Sequence, residues 1–131
     1  MVINHAGLAL YYHNFKNFDS IRDEQSLASY FDIICRFTKE NFKESLNVLI
    51  LDSIIFFFYT HKSQYHLVLK CEHENYDKKK LELISESIIE KFLKKYHKTL
   101  KNFNGEISQF KTFSKDLKEI LSLNNALIIE H

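Results

Sequence analysis

The stretch from Ser45 to Cys71, SLNVLILDSIIFFFYTHKSQYHLVLKC, constrains the fold most: three apolar runs are separated only by Asp52-Ser53 and by His61-Lys62-Ser63-Gln64. Both separators are turn-compatible, so the pattern predicts three strands joined by very short turns. In Ser53 to Thr60 the residues Ile54, Phe56 and Phe58 point one way, and Ile55, Phe57 and Tyr59 the other. A strand apolar on both sides is covered on both sides. The next strand, Tyr65 to His73, alternates more clearly, with Tyr65, Leu67, Leu69 and Cys71 against His66, Val68, Lys70 and Glu72.

Two further strands are expected at the start of the chain, Val2 to Asn4 and Leu8 to Phe15, around Ala6-Gly7. Glycine supplies the positive φ that a tight hairpin needs. Simple alternation puts Leu8, Leu10 and Tyr12 on one side and Ala9, Tyr11 and Phe15 on the other. Asp19 and Ser20 are the residues there suited to capping a helix, and from about Asp23 to Asn41 the period becomes helical. Leu27, Phe31, Ile34 and Thr38 form one stripe, and Tyr30, Ile33 and Phe37 form a second beside it. One stripe suffices for a helix lying on a sheet.

A second helix, capped by Asp77, is expected to run to about Leu100 with Leu81, Ile84, Ile88, Phe92 and Tyr96 inward and Ser85 as a small polar interruption. Glu82, Glu86, Glu90, Lys94 and Lys98 follow at spacing four, an order that suits the helix dipole. After Asn104-Gly105, a third helix over Ile107 to Leu123 would bury Phe110, Phe113, Leu117, Ile120 and Leu121. The tail NNALIIEH has no evident place.

The element order is then β-β-α-β-β-β-α-α, read as one α+β domain over residues 1–131: a five-stranded, mainly antiparallel sheet with one helix on one face and two on the other. A chain of 131 residues buries roughly two-thirds of its unfolded surface, enough for one core. Eighteen Lys and Arg against seventeen Asp and Glu leave a net charge of +1, which calls for no nucleic acid. No segment approaches the roughly 18 apolar residues of a membrane span, and the opening MVINHAGLALYY lacks the basic start of a secretory signal. Cys35 and Cys71 fall inside predicted elements, where free thiols behave as small hydrophobes in a reducing compartment. These observations lead us to expect a cytoplasmic protein.

This order and these lengths resemble the longin domain, a profilin-like unit related to the roadblock domain, although roadblock domains normally begin with a helix. LASYFDIICRFTKENF and GEISQFKTFSKDLKEIL carry the likeness, and the composition is similar to that of stand-alone longin proteins of archaea. The resemblance implies a non-enzymatic, dimerising platform in membrane trafficking. Its implied partner is another longin or roadblock-type unit or a Ras-like small GTPase, with membrane contact only peripheral.

Little in the chain points to chemistry. His61, His66, Cys71 and His73 are the cluster with metal-type side chains, but alternation splits them between two faces, whereas zinc needs four converging ligands. There is no G-x-S-x-G elbow, and with two glycines in the chain a phosphate cradle of backbone amides is hard to build. We therefore expect no catalytic, cofactor or metal site; a small-ligand sensor or an enzyme on a profilin-like scaffold is the alternative. Asp32 and Arg36 read as an i,i+4 pair, and Lys91, Lys94, Lys95, Lys98 and Lys101 as a solvated helix face. The expected partner surface joins Tyr30, Ile33 and Phe37 of the first helix to Asn47 and Leu49 of the third strand. That strand, SLNVLIL, would lie at a sheet edge with neither proline nor charge to protect it.

Overall fold

The structure is a computed structural model and describes residues 1–13, 23–62 and 64–124. Five strands, β1 (Val2–Ile3), β2 (Ala9–Tyr11), β3 (Val48–Ile50), β4 (Ile54–His61) and β5 (Tyr65–Glu72), form one antiparallel sheet in the order β2-β1-β5-β4-β3. Helix α1 (Glu24–Phe42) connects the two edge strands across one face, and α2 (Lys78–Lys95), α3 (His97–Lys101) and α4 (Phe113–Leu123) follow β5. This is the α+β architecture expected above, consistent with a longin or profilin-like fold.

The two apolar sides of β4 account for the two cores. Phe58 and Val68 meet Ala28, Phe31 and Cys35 of α1. Leu67 meets Ile84, Ile88 and Phe92 of α2 together with Phe113 and Leu117 of α4. The second core is dense in rings: Phe92 lies 5.4 Å from Phe110 and 5.1 Å from Phe113, centroid to centroid. Such pairs add about 0.5–1.5 kcal/mol each beyond their buried area.

Local sequence explains most boundaries. Asp23 caps α1 by accepting from Gln25 N and Ser26 N, and Asp77 caps α2 by accepting from Lys80 N. The capping expectation for Asp19 and Ser20 lies outside the described residues, as do Phe15, Ser63 and the tail from residue 125. Where glycine would ordinarily end a helix or turn a hairpin, lysine serves: Lys43 after α1 has φ 58° and Lys62 in the β4–β5 turn has φ 50°.

Several expectations need correction. Leu10 and Tyr11 do not alternate but enter the same core, because Val2 pairs with Tyr11 and Ile3 with Ala9, leaving Leu10 as an extra, bulged residue. The second helix does not run unbroken to Leu100. It breaks at Tyr96, whose hydroxyl bonds Thr112 Oγ1 at 2.6 Å and Phe110 O at 3.3 Å, and α3 begins after it. The third helix is shorter than expected, since Ile107–Phe110 forms a 3-10 turn ahead of α4. His73 is not in a strand: it opens a 3-10 turn and its ring bonds Leu51 O at 3.0 Å.

Candidate partner surface and the buried Asp32 cluster

Two strands end the sheet, and the chain treats them differently. At β2 the side-chain amide of Gln25 acts as a strand partner: its Nε2 donates to Ala9 O at 3.0 Å and its Oε1 accepts from Ala9 N at 2.8 Å. Gln25 of α1 thereby takes the place of a neighbouring strand at Ala9. At β3 no such cover exists among the described residues. Asn47 O accepts from Phe58 N at 2.9 Å and Leu51 N donates to Ile54 O at 2.8 Å, while Leu49 pairs with Phe56. Alternate residues of an antiparallel strand face its partner, so Val48 and Ile50 direct their backbone N–H and C=O groups away from β4.

The expected surface residues stand as follows. Tyr30, Ile33 and Phe37 lie on the outer side of α1 and are 51%, 61% and 58% exposed. Asn47 is exposed at the start of the edge. Leu49 is only half-exposed, because its side chain turns toward α1 and packs on the Phe31 core. The apolar side chains most open at this edge are instead Ile50 at 63% and Leu51 at 46%, which the sequence pattern does not single out. Phe42 is also exposed and meets Phe37 edge-on, 6.3 Å between centroids. Of the eight large hydrophobic residues exposed in the described structure, six lie on α1 or along β3 and its end.

A second cluster sits beneath α1. Asp32 is 3% exposed and pairs with Arg36 one turn on, as its spacing suggests. Its burial, however, is not legible as an i,i+4 pair. It lies between Ala28 and Cys35 on the inward line of the helix, and that placement is the signal that could have found it. Its other oxygen faces His66 Nε2 at 3.6 Å, and His66 Nδ1 stands 2.9 Å from Thr60 Oγ1 on the neighbouring strand. Burial pushes the His66 pKa down, Asp32 opposes that shift and Arg36 adds to it. Burial, with Asp32 adding, raises the Cys35 thiol to about 11, so the thiol is protonated at neutral pH.

Hydroxyl, imidazole and carboxylate thus stand in the order of a nucleophile relay. The 3.6 Å gap is beyond hydrogen-bond length and Arg36 pairs with the same carboxylate, so the cluster links α1 to β4 and β5 through a buried charge. Among the described residues no group of three or more His, Cys, Asp and Glu is arranged to hold a metal ion. An open groove lined by Tyr65, Leu93, His97, Leu100 and Lys101 marks the break between α2 and α3. No described helix is long and apolar enough to cross a membrane. No protein-family model matches the chain, and no curated protein is found similar to it.

Proposed function

We propose that this chain is a non-enzymatic protein-interaction module that receives a protein partner on the outer face of α1 and the free edge of β3. The observation that carries the reading is the exposure of four large hydrophobic residues, Tyr30, Ile33, Phe37 and Phe42, along one helix, beside an edge strand that ends in the exposed Ile50 and Leu51. Monomeric soluble proteins rarely leave such groups together in water. The β2 edge sharpens the contrast, because Gln25 of the same helix engages Ala9 there, whereas among the described residues nothing bonds the outward-facing backbone groups of β3.

The longin-like element order supports a partner that is itself a longin or roadblock-type unit or a Ras-like small GTPase. The setting would be cytoplasmic membrane trafficking, with the membrane contacted peripherally through the assembly. Affinity capture with the parent protein, with the Tyr30→Ser, Phe37→Ser double variant and with Leu83→Ser tests the reading. Leu83 is 63% exposed on α2, away from the proposed surface. A specific partner should be retained by the parent and by Leu83→Ser and lost from the double variant; equal retention by all three overturns the reading.

A further inference from the structure

We propose that the groove at the break between α2 and α3 binds a small organic carboxylate. Its apolar body lies on Tyr65, Leu93 and Leu100, and its charged end meets His97 and Lys101.

The break in the helix builds the groove. Leu93, His97, Leu100 and Lys101 recur at the spacing of one helical face, and they line the groove together on both sides of Tyr96. Leu100 N donates to Tyr96 O at 2.8 Å, which ties α3 to the end of α2. Tyr65, the first residue of β5, supplies the opposite wall. Tyr65, Leu93 and Leu100 are half-buried and pack on the core that holds Phe92, Phe110 and Phe113, so the floor is fixed by that core. The groove has a volume of about 440 Å³, in the range of small-molecule sites.

Charge selects the class of ligand. Between Glu90 and Glu106 the chain carries Lys91, Lys94, Lys95, Lys98 and Lys101 and no carboxylate. Asp116 engages Lys95 alone, and no acidic residue lines the groove. Among the described residues the Tyr65 hydroxyl, the His97 imidazole and the Lys101 ammonium make no hydrogen bond or ion pair. Three donors thus stand around an apolar floor with no acceptor of their own. A carboxylate supplies the acceptor oxygens, and an attached hydrocarbon covers the floor. An inorganic anion would meet only the rim.

Octanoate is the probe, with octan-1-ol as its neutral counterpart and acetate as the charge without the apolar body. Amide NMR titration of the whole chain at physiological salt should give a millimolar dissociation constant for octanoate, as befits so small a ligand. Shifts should concentrate at Tyr65, Leu93, Leu100 and Lys101, and octan-1-ol and acetate should each bind several-fold more weakly. Lys101→Glu should raise the octanoate constant on the order of tenfold, because it removes an exposed ion pair and adds a like charge. Lys78→Glu makes the same charge change at the far end of α2, beyond the screening length, and should leave the constant unchanged. Absence of octanoate binding, equal binding of octan-1-ol or acetate, or equal loss in both variants overturns the inference. Binding of the parent to phosphatidylserine vesicles but not to octanoate overturns it in favour of a bilayer contact. None of these outcomes bears on the α1 surface, which lies on the other face of the sheet and is read separately by affinity capture.

Discussion

Asp32 Oδ1 lies 3.6 Å from His66 Nε2, so the carboxylate buried under α1 faces an imidazole of β5 as well as the guanidinium of its own helix. The pair joins α1, the one helix on that face among the described residues, to a central strand. Burial costs the imidazole its charge: the His66 pKa is lowered from 6.5 first by desolvation, with Asp32 opposing and Arg36 assisting.

The pH dependence follows from that direction. Below pH 6.5 the unfolded chain takes up a proton on His66 more readily than the folded one, so the stability associated with this residue is complete above 6.5 and declines as pH falls toward the lowered value. Urea midpoints measured from pH 7.5 to 5 should fall with acidity, and His66→Gln should flatten that slope. A variant whose midpoint tracks the parent at every pH would locate the dependence elsewhere.

Gly7 is the second constraint on the same carboxylate. It has φ +78°, and a Cβ built there would stand 3.1 Å from Asp32 Oδ2. The turn around it is held by Asn4, whose Oδ1 accepts from Ala6 N and Leu8 N at 3.0 Å each. Gly7→Ala should destabilise the protein by about 1–2 kcal/mol through left-handed strain and crowding of Asp32. Gly105 has φ +92° with nothing within 4 Å of its missing Cβ, so Gly105→Ala carries the strain alone and should cost less. Equal losses in thermal unfolding would remove the Asp32 contact from the account.

The strands and the edges were readable because their cause is periodic: the two apolar faces of Ile54–His61 demand two layers, and short turns demand antiparallel neighbours. What was not readable depends on tertiary contact. Tyr96 lies in phase with Phe92 on the inward stripe, yet its hydroxyl bonds to Thr112 and Phe110 accompany the break in the helix. The bulge at Leu10 hides from any test of alternation, because one extra residue reverses the faces beyond it. The exposed stripe of Tyr30, Ile33 and Phe37 on α1 was legible as a second apolar line, whereas the choice of Ile50 over Leu49 as the open side chain depends on how α1 lies over β3 and β4.

Ser85 is fully buried in α2 beside Ile84, Ile88 and Ile89, and its hydroxyl has no hydrogen-bond partner among the described residues. An unsatisfied buried hydroxyl costs about 1–3 kcal/mol, and alanine is the better helix former. Ser85→Ala should therefore stabilise the protein by about 1 kcal/mol in urea unfolding. Destabilisation by that change would mean that the hydroxyl has found a partner, such as an internal water.

The lysines of α2 and α3 divide by what they touch. Lys95 Nζ pairs with Asp116 Oδ2 of α4, donates to Thr112 O at 3.3 Å and lies 5.6 Å from the Tyr96 ring centre, so this lysine ties two helices together. The bond to Asp116 raises its pKa. Lys94 and Lys98 are exposed. Exposed ion pairs contribute roughly 0–1 kcal/mol, so Lys95→Gln should lower stability by less than about 1 kcal/mol. Lys94→Gln and Lys98→Gln should change it by less still. With Lys95 engaged by Asp116 and the acidic Glu86 and Glu90 on the preceding turns, the remaining cations attract an anionic bilayer weakly. The parent protein should therefore float free of phosphatidylserine vesicles at physiological salt. Binding that disappears when Lys94, Lys95 and Lys98 are changed together to Gln would instead establish this face as a membrane contact.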